Sequence, residues 1–178
     1  MGRFAKLVDT PERMAAFRTK YRIPENVVFQ HCELGEWLVM NKPPSAMVIP
    51  MISFIEGGME IPMNRVTRDF LINFRLSLTQ CSPNLFRVLG SVDMINRKMG
   101  TNLTWHDINW VYNFQKGKET SYYFKCRVPS VRLISCIPES NKGMDEDFLI
   151  VSGEWHDGLH CPTQDGEPGG VLTARRIT

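Results

Sequence analysis

The sequence predicts an α+β fold: a mainly helical domain of about four to five helices, followed by a small antiparallel sheet of two to three strands and a disordered C-terminal tail. Three observations carry this. Up to Gly117, apolar residues recur at helical spacing between cap-like residues; from Tyr122 the period drops to two; from His156, glycine and proline replace any apolar pattern. A chain of 178 residues, 43% hydrophobic and 22% charged, is of a size and composition to fold as one domain around a packed core.

Taken in order, Thr10-Pro11-Glu12 joins an N-cap, a proline at the first helical position and an acid in the first turn. Met14, Phe17 and Tyr21 then mark one face of a helix predicted to end near Arg22, before Pro24. Val27, Val28 and Phe29 suit extended backbone. Pro43-Pro44 breaks the chain ahead of the apolar run Ala46–Ile55, which reads as a buried helix ended by Gly57-Gly58. After Pro62, Val66, Phe70, Leu71 and Phe74 share a helix face opposite Arg65, Arg68, Asp69 and Arg75. Ser82 as cap and Pro83 as first residue open the strongest helix, with Leu85, Leu89, Val92, Ile95 and Met99 leading to Gly100. Thr104 and Asp107 have capping-box spacing ahead of Trp105, Ile108, Val111 and Tyr112, and Gly117 is the predicted end of that helix. Tyr122, Phe124, Cys126 and Val128 then alternate with Tyr123, Lys125 and Arg127. With Val131–Ile137 and Phe148–Val151 they predict one antiparallel unit, turning at Glu139–Gly143.

Charge is unevenly spread. Residues 1–138 hold 18 basic and 11 acidic side chains, residues 139–178 hold 3 and 8, so a basic body meets an acidic end. The uncharged stretch Pro43–Ile55 is interrupted by Pro50 and falls short of the roughly 20 residues of a membrane-spanning helix. MGRFAKLVDT lacks the apolar centre of a secretory signal, and Lys6 stands where myristoylation of Gly2 requires Ser or Thr. Five scattered cysteines with no C-x-x-C pair suit reduced thiols. The expectation is an intracellular protein, nuclear or cytoplasmic, without membrane contact.

Motifs for chemistry are sparse. His31-Cys32 and His156 with His160-Cys161 are the only close pairs of soft metal ligands; neither has a finger spacing, and no metal site or cofactor is expected. Adjacent residues on a strand point apart, which separates Cys32 from His31, and Asp107 beside His106 suits a helix N-terminus. No nucleophile elbow, phosphate loop or H-E-x-x-H motif is present, and Asp69, Asp93 and Asp107 fall on the solvent side of their helices, so no enzyme or small-molecule substrate is expected. The strand Ser121–Val128 is the one surface with binding chemistry: Tyr123, Lys125 and Arg127 on one face, with Arg132 beyond, can stack bases and neutralise phosphates. A half-exposed strand favours the same residues for solvation alone, and the tryptophans and methionines read as core.

Several stretches, in order, resemble the gypsy-type transposase domain of plants, a family derived from long-terminal-repeat retrotransposons. They are Tyr21-Arg22-Ile23-Pro24; Gly58-Met59-Glu60-Ile61-Pro62-Met63 with Arg68-Asp69-Phe70-Leu71; Leu78-Thr79-Gln80-Cys81-Ser82-Pro83-Asn84; Tyr122-Tyr123-Phe124; Ile137–Gly143; and Phe148-Leu149-Ile150-Val151 with Trp155. The similarity covers residues 21–155 and divides the chain into an N-terminal helix or arm (1–20), this domain, and the tail (156–178). Where family members carry a basic, aromatic loop, this chain has the acidic Lys142–Asp147. The resemblance implies a non-catalytic, transposable-element-derived domain, Gag-like in role, that self-associates or attaches to a coiled coil. The apolar segment Met47–Ile55 is the physical hint for self-association. A nucleic-acid-binding module using Tyr123, Lys125, Arg127 and Arg132 is the alternative.

Deleting Gly158–Thr178 is expected to leave the thermal midpoint unchanged, because that Gly/Pro-rich stretch has no apolar run to offset its ordering entropy. Trp155→Ala is expected to cost about 3–5 kcal/mol in denaturant melts. Unfolding by the deletion, or a lost midpoint that zinc restores in the intact chain, would instead point to a metal site at His156, His160 and Cys161.

Overall fold

The computed structural model describes residues 2–33, 45–117, 121–135, 137 and 146–155. The expected tail from residue 156, the turn Glu139–Gly143 and most of the acidic loop lie outside the described residues. The elements run α1 (Pro11–Lys20), β1 (Val27–Glu33), β2 (Met47–Pro50), α2 (Met51–Ile55), α3 (Arg65–Phe74), α4 (Pro83–Met99), α5 (Trp105–Val111), β3 (Tyr112–Lys116), β4 (Tyr122–Cys126) and β5 (Asp147–Gly153). The fold is α+β, with an antiparallel sheet of order β1-β5-β2 and a separate β3-β4 hairpin.

The three-stranded sheet differs from the expected layout, in which all strands follow the helices. Phe148-Leu149-Ile150-Val151 is apolar at every position, so both faces of β5 require cover and both edges require partners. It obtains them from strands far away in sequence, His31 aligning with Leu149 on one side and Ile49 with Leu149 on the other. Leu149 and Val151 join Val27, Phe29, Met47 and Ile49 in the main core, while Phe148 and Ile150 meet Cys32, Ala46 and Val48 on the opposite face. Gly153 has φ +85°, and a Cβ there would fall against the Asn26 carbonyl oxygen. Trp155 is buried just beyond, its indole N–H donating to Ser45 O at 3.0 Å.

The run Ala46–Ile55, expected as one helix, splits at Pro50. A proline has no N–H for a helix interior but is tolerated at a sheet edge and ahead of a helix, and here it ends edge strand β2 and caps α2. Met47, Val48, Ile49, Met51, Ile52 and Phe54 are all buried within this one chain and Ile55 is half-buried, so the segment is core and not the surplus apolar surface that hinted at self-association.

Helices α1 and α4 start where their caps predict, and α3, for which the sequence offered only its apolar face after Pro62, starts at Arg65 behind Asn64. Thr10 Oγ1 accepts from Arg13 N, and Asn64 Oδ1 accepts from Thr67 N at 2.9 Å. Phe17 of α1 packs against Phe29 and Phe54, and the Arg18 guanidinium donates to the carbonyls of Ile23, Pro24 and Val27, which fastens the helix to the turn behind it. Phe4, Ala5 and Val8 are buried as well. In α3 the predicted face of Val66, Phe70, Leu71 and Phe74 is the buried one. In α4 it holds through Val92; Ile95 is half-buried and Met99 is 74% exposed, because the last turns run past the core to Gly100, whose φ is +65°. Ser82 occupies the N-cap position, yet its hydroxyl makes no cap bond and is buried without a partner.

The largest correction concerns α5. The Thr104–Asp107 capping box forms, with Thr104 N donating to Asp107 Oδ2 at 2.7 Å, but the helix stops at Val111 and residues 112–116 turn into β3. Tyr112 and Phe114 alternate with Asn113 and Gln115, a period of two that only the pairing with β4 makes decisive. Phe114 and Phe124, opposite each other, close over Phe70 at centroid distances of 5.4 and 5.2 Å. Residues 131–135, within the expected strand Val131–Ile137, are irregular, with bends at 133–135; the N–H groups of Leu133 and Ile134 donate to the Tyr112 hydroxyl at 3.1 and 3.2 Å instead of to a ladder.

The two caps should respond differently to truncation. Asn64→Ala is expected to cost about 1 kcal/mol, whereas Ser82→Ala, which removes a buried and unpaired hydroxyl, should be neutral within about 0.5 kcal/mol or stabilising. Chemical denaturation of both variants checks this.

Candidate nucleic-acid interface

The β3-β4 hairpin places the residues singled out for nucleic-acid contact. β4 alternates as its sequence predicts: Tyr122 is buried, stacked on Phe114 at 5.2 Å, and Phe124 packs on Phe70, while Tyr123 and Lys125 occupy the other face opposite Gln115 and Asn113. Lys125 is exposed; Tyr123 is half-buried and its hydroxyl donates to Gln115 Oε1 at 3.3 Å. Arg127 lies just past the strand and is engaged. Its backbone N–H donates to Val111 O at 2.9 Å and its Nε–H to Asn109 O at 2.6 Å, so the guanidinium closes the carbonyl end of α5. Arg132 is exposed in the following loop, its Nε 3.4 Å from Pro129 O. The strand thus brings Tyr123 and Lys125 to one face, leaves Arg127 and Arg132 beyond its end, and Arg127 is committed to the backbone of α5.

A second feature of this end escaped the sequence. Trp110 is 70% exposed, Val128 50%, Val131 49% and Leu133 37%, against the expectation that the tryptophans are core. The bonds from Arg127 to Asn109 and Val111, and from Leu133 and Ile134 to the Tyr112 hydroxyl, tie the segment that carries Val128, Val131 and Leu133 to α5, which carries Trp110, and to the first residue of β3. The available signal was phase: Trp105, Ile108 and Tyr112 share a face, and Trp110 is off it. Residues 121–135 contain no carboxylate.

The other candidate chemistry resolves into structural contacts. His31 Nε2 lies 2.9 Å from Asp147 Oδ1, and the fully covered Asp147 carboxylate also accepts the Phe4 N–H at 2.6 Å. Asp147, read as part of an acidic loop, therefore begins β5 and ties down the N-terminal segment. Cys32 points to the opposite sheet face, as strand alternation requires. His156, His160 and Cys161 lie outside the described residues, among which no group of three His, Cys, Asp or Glu side chains converges. Asp69 and Asp93 border a cleft of about 130 Å³ with Asn96 and Trp105, but each is held by arginine: Asp69 by Arg65 and Arg68, Asp93 by Arg97 at 2.9 Å. Asp93, expected at solvent, is largely covered, its side chain 13% exposed. No helix among the described residues is long and apolar enough to cross a membrane.

With this geometry in view, comparison with known proteins adds no relative: no protein-family model, curated protein or solved structure matches the chain.

The Thr104 N–H donating to Asp107 holds that carboxyl below its ordinary range, with smaller contributions from the Thr104 hydroxyl and from His106. A lowered folded-state value means stabilisation that is present above the unfolded pKa of about 4 and lost as pH falls through the folded value. Thermal melts should show Asp107→Asn less stable than the parent at neutral pH, with the difference vanishing in acid.

Proposed function

We propose that the chain is a non-catalytic interaction module of transposable-element origin, Gag-like in role, which self-associates through the end of the β3-β4 hairpin. The observation that carries this is the set of exposed apolar side chains Trp110, Val128, Val131 and Leu133, borne on α5 and on the segment after β4 that Arg127 bonds to it. Exposed tryptophan with aliphatic neighbours and arginine at the margin is the composition of protein-interface centres. The element origin rests on the ordered resemblance to the gypsy-type transposase domain over residues 21–155. The fate of the polar groups supports a non-catalytic role: Asp69, Asp93, Asp107, His31 and Arg127 each serve a helix, a strand or a neighbouring charge.

Light scattering across a concentration series is expected to show association that Trp110→Ala and Leu133→Ser abolish without lowering the thermal midpoint. Because both copies bring Lys125, Arg127 and Arg132 to the contact, salt should strengthen it by screening like charges. A strict monomer at high concentration would end this reading.

The absence of any carboxylate in residues 121–135 favours one alternative, a nucleic-acid module using Tyr123, Lys125, Arg127 and Arg132. Its salt dependence has the opposite sign: affinity for an oligonucleotide should fall steeply as salt rises and weaken with Lys125→Glu. No binding at low salt removes it.

A further inference from the structure

The N-terminal helix carries a groove that the hairpin readings do not use. Leu7, on the short turn before α1, together with Ala16 and Tyr21 floors a depression of about 190 Å³, with Lys6, Arg13 and Lys20 around it. Leu7 is 41% exposed, and Ala16 is exposed on the outer side of the helix. Arg13 gives its guanidinium to both carboxylate oxygens of Asp9 at 2.8 Å. Lys6 and Lys20 have no carboxylate partner among the described residues, and Lys20 Nζ lies 5.4 Å from the Tyr21 ring centre.

We propose that this groove docks an acidic peptide segment of a partner protein, one large apolar side chain filling it while flanking carboxylates meet Lys6 and Lys20. Size supports a side chain as occupant, since sites for cofactors and drug-sized ligands usually span roughly 300–1,000 Å³. The floor also contains no side-chain amide to read a base edge, which favours a peptide over a nucleotide. Charge selects the flanks: with Arg13 neutralised by Asp9, the two free ammonium groups remain, and an acidic partner complements them. The walls are preformed, because Phe17 anchors α1 in the core and Arg18 fastens its end, so docking does not have to order the helix.

The test uses the full chain and labelled peptides built from Asp, Glu and Ser, each with a single central Phe, Leu or Trp, and a twin with Ser at the centre. Fluorescence anisotropy should show binding of at least one apolar-centred peptide, weakening with salt, and none of the Ser twin. Lys6→Glu and Lys20→Glu should each weaken binding roughly fivefold, and Lys98→Glu, on the far end of α4, should leave it unchanged. Ala16→Phe fills the groove without altering charge and should abolish binding while the melting curve stays that of the parent; should it fail to fold, Leu7→Ser replaces it as the floor variant. The proposal is overturned if no peptide of the panel binds, if the Ser twin binds as well as the others, or if binding survives the floor variant. It is equally overturned if oligothymidylate binds with the same dependence on Lys6, Lys20 and the floor, which would make the face a nucleic-acid surface.

Discussion

The structure depends on a strand that is apolar on both sides. β5 cannot lie at a sheet edge or turn one face to water without exposing Phe148 and Ile150 or Leu149 and Val151, so it must sit between two other strands with cover above and below. β1 and β2, both far upstream in sequence, meet that demand in register. The same insertion carries Asp147 into the interior. A buried carboxylate requires donors, and the Phe4 N–H and His31 ring supply them, so the N-terminal segment is tied to β5, far from it in sequence.

The second half of the core is aromatic. Phe70 and Phe74 on α3 meet Phe114 and Phe124 on the hairpin, with Trp105 and Tyr112 at the margins, in tilted and edge-on contacts. A two-stranded hairpin is marginal by itself, and α3 gives this one a surface to cover. Once its inner face is used, only the polar face of Asn113, Gln115, Tyr123 and Lys125 and the apolar end at Trp110 remain for other molecules.

That division changes what the functional residues are. Met47–Ile55 looked like surplus apolar surface and proves to be core, because Pro50 lets half of it join the sheet while the rest becomes a short buried helix. Arg127 looked like a free cation and closes a helix end, since α5 stops early enough to leave its carbonyls within reach. Trp110 looked like core by its type and stands in solvent by its phase. Among the described residues, exposed apolar side chains stand on α5 and the segment after β4 and in the groove beside α1, where Lys6 and Lys20 flank them.

What the sequence determined alone was local. The α+β class, the starts of α1 and α4, the buried face of α3, the capping box of α5, the alternation of β4 and the burial of Trp155 follow from caps, periods and residue types that act within a few positions of one another. It placed Tyr123 and Lys125 on one face for the same reason. Tertiary structure decided which strands pair, where α5 ends, and which polar groups are spent. Tyr112–Lys116 has a helical continuation and a strand pairing of similar local merit, and contact with Phe124 and Phe70 selects the strand. The exposure of Trp110, the engagement of Arg127 and the burial of Asp147 all depend on segments distant in sequence meeting in space, and composition and spacing carry no record of that meeting.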